Sequence, residues 1–275
     1  MAIKDVFAPV FDEPGDAALL EALETLEIVR NAHVAVTLVA PLPEPVTAGD
    51  GMTAVLGDVI NMVHAQAAKA RAKIDVQAKR NAWEARTIET WSHAAIAAAV
   101  TAARHSDLSI IAAPGRERAS ARVDVLEGLL MDSGRPVLAI PAKAKLEARF
   151  ARIFLAWDAS REAAHALAGA HAFLEGADDI IVGTVDAQPR AGGVGEAPGA
   201  DIAAHLARHG YRVDVRNFDG LGRNAGEALL AAAEDSCCDL VVMGAYHHAR
   251  LQQALFGGAT RTMLEDAAIP LLLAH

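Results

Sequence analysis

Apolar residues recur along this chain in two rhythms. Short, predominantly apolar runs occupy residues 6–11, 34–40 and 108–113, and again 153–157, 180–185 and 240–243. They lack the polar–apolar alternation of a half-exposed strand, which is the pattern of strands covered on both faces. Between them the apolar positions fall three and four apart. Leu19, Leu20, Leu23, Leu26 and Ile28 predict a helix over residues 14–30, and a similar face predicts one over 161–174.

Read to the end, the same order of elements occurs twice. Further strands are expected at 83–88, 135–140, 211–217 and 269–274, and helices at 52–80, 92–104 and 224–235. Asn224 with Glu227 three residues on has the form of a capping box. The middles of the halves differ: a long helix follows the loop 41–51 in the first, whereas a glycine-crowded loop, 188–199, and a shorter helix ending near His209 follow in the second. Strands alternating with helices imply right-handed crossovers and parallel pairing. The expected fold is therefore α/β, two tandem open parallel five-stranded sheets with helices on both faces and strand order 3-2-1-4-5. The expected domains are residues 1–142 and 150–275, joined by the charged stretch 143–149.

Composition narrows this picture. Net charge is −10, with 35 acidic against 25 basic residues, which opposes the concentrated basic field that duplex binding requires. Arg116, Arg118 and Arg122 form the densest basic cluster and read as a solvated loop. The N-terminal segment lacks the apolar core of a secretory signal, and the apolar stretch 94–103 is about half of what a bilayer span needs. No nucleic acid or membrane partner is expected, and the compartment is expected to be cytoplasmic. The two cysteines, Cys237 and Cys238, are adjacent and read as reduced residues at a helix-to-strand junction.

In an open parallel sheet a ligand sits beyond the carboxyl ends of the strands, where strand order reverses. In the second half that point presents Trp157 and Asp158 on one side and Met243 and Gly244 on the other. The glycine pair Gly257-Gly258, opening a helix, would expose backbone N–H groups suited to phosphate, although glycine pairs also serve to bring a helix close to a sheet. There is no G-x-S-x-G elbow and no P-loop. His205 and His209 stand four apart on a predicted helix without a third ligand visible in sequence; they read as solvent-facing, and no metal is predicted apart from any Mg accompanying a nucleotide.

The segment DLVVMGAYHHARLQQALFGGATRTML, followed by IPLLLAH, resembles the universal stress protein family, as do IFLAWDAS and IIVGTVDA earlier in the second half. The first half, through SDLSIIAAPG and SGRPVLAIP, resembles a degenerate copy. The resemblance implies a non-catalytic stress-response module able to hold ATP or AMP. It places Gly244 and Gly257 at two glycines of the family's G-x2-G-x9-G-[S/T] pattern, with His247 where a glycine and Gly258 where a hydroxyl residue would stand. It places Asp158 toward the adenosine and Val185 on the adenine wall; Ala259 and Thr260 follow in the phosphate-side turn. Two alternatives stay open: an interaction or structural protein that binds no nucleotide, and a slow ATPase. The implied partners are the two halves packed against each other as a pseudo-symmetric pair, a second copy of the chain in a homodimer, and an unknown protein. In the first half, matching Pro136 to Pro270 sets Val123 and Asp124 opposite the glycine pair, so that half is expected to have lost any nucleotide site.

Overall fold

The computed structural model describes residues 2–44, 50–117, 119–188, 199–245 and 258–275, with residues 50–55 described by backbone alone. The first set of elements runs β1 (Asp5–Val10), α1 (Asp16–Thr25), β2 (His33–Leu42), α2 (Asp50–Asn81), β3 (Glu84–Trp91), α3 (Ser92–Arg104), β4 (Leu108–Ala112), α4 (Ala121–Asp132) and β5 (Val137–Ile140). The second runs β6 (Arg152–Ala156), α5 (Arg161–Leu174), β7 (Asp179–Val185), α6 (Ala200–Arg208), β8 (Val213–Phe218), α7 (Ala225–Asp235), β9 (Leu240–Gly244), α8 (Gly258–Asp266) and β10 (Leu271–Ala274). The first helix is shorter than the periodicity predicts. Leu26 turns extended to bury its side chain, and the N–H of Glu27 donates to Ala148 O at 2.7 Å in the linker.

The ten strands form one sheet in the order β3-β2-β1-β4-β5-β10-β9-β6-β7-β8. The expectation of two separate sheets is thereby corrected. Within each set the pairs are parallel; at the seam β5 and β10 run antiparallel, with Leu138 opposite Leu272. The seam is dry because both strands are wholly buried, and pairing them removes two exposed apolar edges. Successive strand residues point to opposite faces. Val6, Ala8, Leu138, Leu155 and Leu272 therefore join α1, α2, α5 and α6 in one core, while Phe7, Ala139, Phe154 and Leu273 join α3, α4, α7 and α8 in the other. Each core runs across both strand sets. Gly169 of α5 even abuts the other set, where an added Cβ would lie 2.8 Å from Pro136.

Repetition extends to a device the sequence did not announce. Asp107, just before β4, accepts the N–H groups of Lys4 and Asp5 at 2.8 and 3.1 Å. Asp239, just before β9, accepts those of Ala151 and Arg152 at 2.7 and 3.0 Å. Each aspartate fastens the start of its set's first strand to its fourth. The capping box at α7 is present as predicted, with Glu227 N donating to Asn224 at 3.0 Å and Asn224 N to Glu227 at 3.1 Å.

Candidate functional site

In the second set the order reverses between β6 and β9, whose register sets Leu155 against Val242. Just beyond that pairing, Trp157 follows the end of β6 and Gly244 ends β9, both at the carboxyl edge. Trp157 continues the ladder by donating its N–H to Gly183 O at 2.9 Å. The next turn is fixed by short-range bonds: Asp158 Oδ1 accepts Ser160 N–H at 2.9 Å, Ala159 adopts φ +60°, and Ser160 Oγ caps α5 by accepting Ala163 N–H at 3.1 Å. Asp158 is exposed, with its second oxygen outside this bond. Val185 ends β7 half-buried, next in the row.

Gly244 has a reason to be glycine that involves no ligand. A Cβ there would lie 2.6 Å from Ala163 N and from Glu162 C, in the first turn of α5. Met243 is buried in the core beneath and contributes packing. Beyond Ala245, whose N–H and C=O are held by Ala274 O at 2.8 Å and His275 Nδ1 at 3.0 Å, the description resumes at α8. His247 and Gly257 lie outside the described residues. Gly258 opens α8 exposed, with no atom of the described residues within 4 Å of the space a Cβ would occupy; Ala259 is half-buried and Thr260 buried. Helix α7 presses α8 from behind, since a Cβ on Gly226 would meet Ala259 O at 2.7 Å.

The corresponding place in the first set is filled from within. Arg122, read from sequence as part of a solvated loop, is instead 4% exposed in the first turn of α4. Its guanidinium reaches Glu13 Oε2 at 2.7 Å and Asp16 Oδ1 at 3.1 Å, and lies 5.6 Å from the Phe11 ring centre. Asp16 is itself held by the N–H groups of Phe11 and Glu13 at 2.8 and 3.1 Å. Burial pushes the Glu13 carboxyl up, Arg122 pulls it down, and Glu117 and Asp16 add to the rise. Of the other two cluster members, Arg116 is exposed and pairs with Asp266 at 2.8 Å, and Arg118 lies outside the described residues. Strand β4 ends at Ala112, so the register equivalent of Gly244 is Ala112 and not Gly115.

Away from the strand ends, Cys237 is exposed and Cys238 buried, both free, and burial pushes the Cys238 thiol up to about 12. Among the described residues no three or more His, Cys, Asp or Glu donors stand around one ion position, and no helix is long and apolar enough to cross a membrane.

The universal stress protein family model matches residues 149–275. A universal stress protein of Synechocystis sp. is 33% identical over 67 residues, which is 24% of this chain and only 22% of that protein's length. Among solved structures, a universal stress protein from Archaeoglobus fulgidus is similar with a TM-score of 0.73 at 17% identity, over 100% of this chain and 96% of that one. A Pseudomonas aeruginosa protein described as of the same kind is similar with a TM-score of 0.51 at 15% identity, over 99% and 93%. At these identities the structural likeness concerns the fold.

Proposed function

We propose that the chain, whose residues 149–275 match the universal stress protein family model, is a member of that family and a non-catalytic stress-response module whose second half binds an adenine nucleotide, ATP or AMP. The observation that carries this reading is a contrast between equivalent places. In the second half no described atom lies within 4 Å of where a Cβ on Gly258 would stand at the start of α8, whereas in the first half the start of α4 holds the buried Arg122 with its own ion pairs. Backbone N–H groups at a helix start carry partial positive charge and suit phosphate oxygens. In this reading Asp158 faces the adenosine with the oxygen that Ser160 does not use, Val185 and Trp157 wall the base, and the Gly258–Thr260 turn takes the phosphates together with Gly257 and His247. Gly244 and Met243 support the site from below. Any Mg would arrive with the nucleotide. Residues 1–142 and 150–275 act as two domains of one chain paired through β5 and β10, and the cytoplasm is the compartment that fits.

Among the described residues no general base is aimed at the place proposed for the phosphates, and this places a slow ATPase behind this reading. The remaining rival is an interaction protein that takes no nucleotide. Calorimetry of the full chain with ATP, AMP and adenosine, repeated on Asp158→Ala and His247→Gly, separates the readings. Asp158→Ala should weaken all three ligands, by about 1–3 kcal/mol for a lost hydrogen bond. His247→Gly should tighten ATP more than adenosine, because its effect falls on the phosphate side. No binding of any ligand at millimolar concentration would leave the interaction protein.

A further inference from the structure

We infer that the second strand set carries a binding cavity for a small zwitterion of the amino-acid or short-peptide class, at the amino ends of β6, β7 and β8. The cavity has a volume of about 360 Å³, at the lower end of those that hold small molecules. It lies between β8, which is an edge strand of the sheet, and the C-terminal end of α7. The place proposed for the nucleotide is at the opposite, carboxyl edge, so the two readings stand or fall separately.

Each of three strand starts brings a charge to the lining. Arg152 opens β6, Asp179 opens β7, and Arg212 immediately precedes β8. Arg152 and Arg212 take separate oxygens of Asp179, at 3.3 and 2.9 Å. Arg152 also donates to Ser236 O at 3.3 Å and Arg216 to Ser236 Oγ at 3.5 Å, which draws a third guanidinium to the same place. Arg216 pairs with Asp214 at 2.7 Å. Two carboxylates thus serve three guanidiniums. Nε of Arg152, Nε and Nη1 of Arg212, and Nη2 of Arg216 make no hydrogen bond to any described residue. Guanidiniums with unused N–H groups on a cavity wall suit a carboxylate, which they can grip with parallel, charge-assisted bonds.

The opposite charge is present as well. Asp235, the last residue of α7, lines the same cavity and has neither hydrogen bond nor ion pair among the described residues. It stands at the negative end of the helix dipole, in a last turn without a basic residue, and both features attract a cation. Excess guanidinium alone would suit a simple anion. An unpaired carboxylate in the same cavity selects a ligand that brings an ammonium too. Ile181, 3% exposed, lines the cavity from the core and gives an aliphatic side chain an apolar floor.

Calorimetry of the full chain with L-leucine and glycyl-L-leucine tests the inference, against isocaproate and isoamylamine, the leucine analogues without the amino and the carboxyl group. Each analogue should bind about tenfold or more weakly than the better zwitterion, because one charged group of the cavity is left unmatched. Arg212→Gln should weaken the zwitterions and isocaproate alike, whereas Asp235→Asn should weaken only the zwitterions. Both side chains are exposed, and an unchanged melting temperature checks that the variants fold. A second readout needs no variant: Cys237 lines the cavity and is exposed, while Cys238 is buried, so saturating zwitterion should slow the reaction of Cys237 with a thiol reagent. No heat from either zwitterion at millimolar concentration, isocaproate bound as tightly as leucine, or unchanged affinity in Arg212→Gln would overturn the inference.

Discussion

Arg122→Met tests the filled first-half site most directly. The substitution keeps an unbranched apolar stem but deletes the guanidinium from a place that is 4% exposed. Asp16 loses one contact and keeps two N–H donors. Glu13 loses its counter-ion, and that contact, close at 2.7 Å, is an ion pair without hydrogen-bond alignment, since Glu13 Oε2 and Arg122 Nε both lack a hydrogen-bond partner. Removing one member of a buried pair typically costs about 3–5 kcal/mol. Glu13 retains 28% side-chain exposure and can take up a proton, so the expected loss near neutral pH is at the lower end, about 2–3 kcal/mol.

The pH dependence has a definite sign. Glu13 already sits above its ordinary value through burial, and Arg122 is what holds it down. Without Arg122 it rises further, so the folded variant binds a proton more readily than the unfolded chain, and its stability grows as pH falls. The deficit relative to wild type should therefore be largest near pH 7 and narrow toward about pH 5. Urea unfolding followed by circular dichroism at both pH values measures it. The double variant Glu13→Gln with Arg122→Met should recover much of the loss, because the orphaned charge is gone. A deficit under about 1 kcal/mol at neutral pH, or one that widens in acid, would refute the claim that this ion pair closes the first-half site.

Two further substitutions probe the frame around the second-half site. Gly244→Ala drives a methyl group into the backbone of the first turn of α5, and backbone cannot give way as a flexible side chain would; unfolding experiments should show a loss of about 1–3 kcal/mol. Asp239→Ala strands the N–H groups of Ala151 and Arg152 and should cost about 1–3 kcal/mol. Asp239→Asn keeps an acceptor and should cost less. Burial pushes the Asp239 carboxyl up, against the pull of the backbone N–H groups, so its contribution is lost as pH rises through its folded value. The asparagine variant should accordingly lose less stability than the parent over that rise.

Much of the architecture was legible because it is written locally. A strand covered on both faces must be a short apolar run, and a helix on a sheet must repeat every three to four residues; both signals survive in each half even where the residues differ. The seam was not legible in this way. That β5 and β10 pair antiparallel into one sheet depends on how two edges meet, and nothing in VLAI or LLLA names the partner. Arg122 misled for a related reason. Beside Arg116 and Arg118 it has the pattern of a solvated loop, and only the fold brings Glu13 and Asp16, more than a hundred residues earlier, against it.

The two halves also show why a motif glycine must be weighed by its surroundings. At the end of the fourth strand the second half has Gly244, and the clash it avoids is with the first turn of α5. In the first half the same strand end carries Ala112. The crowding is relieved from the other side, by Gly15 at the start of α1, where an added Cβ would come within 3.3 Å of Ala112 Cβ and 2.8 Å of Arg122 Nη1. One steric demand, the close approach of the first helix to the fourth strand, is met once by a glycine on the strand and once by a glycine on the helix. Gly244 would therefore be required whether or not a nucleotide ever binds. The discriminating residues are those with no packing reason for their identity. Gly258 is such a residue: no described atom lies within 4 Å of the place a Cβ would take, and at the first position of α8, where glycine costs little, packing leaves its identity open, so that substitution there tests the nucleotide reading without disturbing the core.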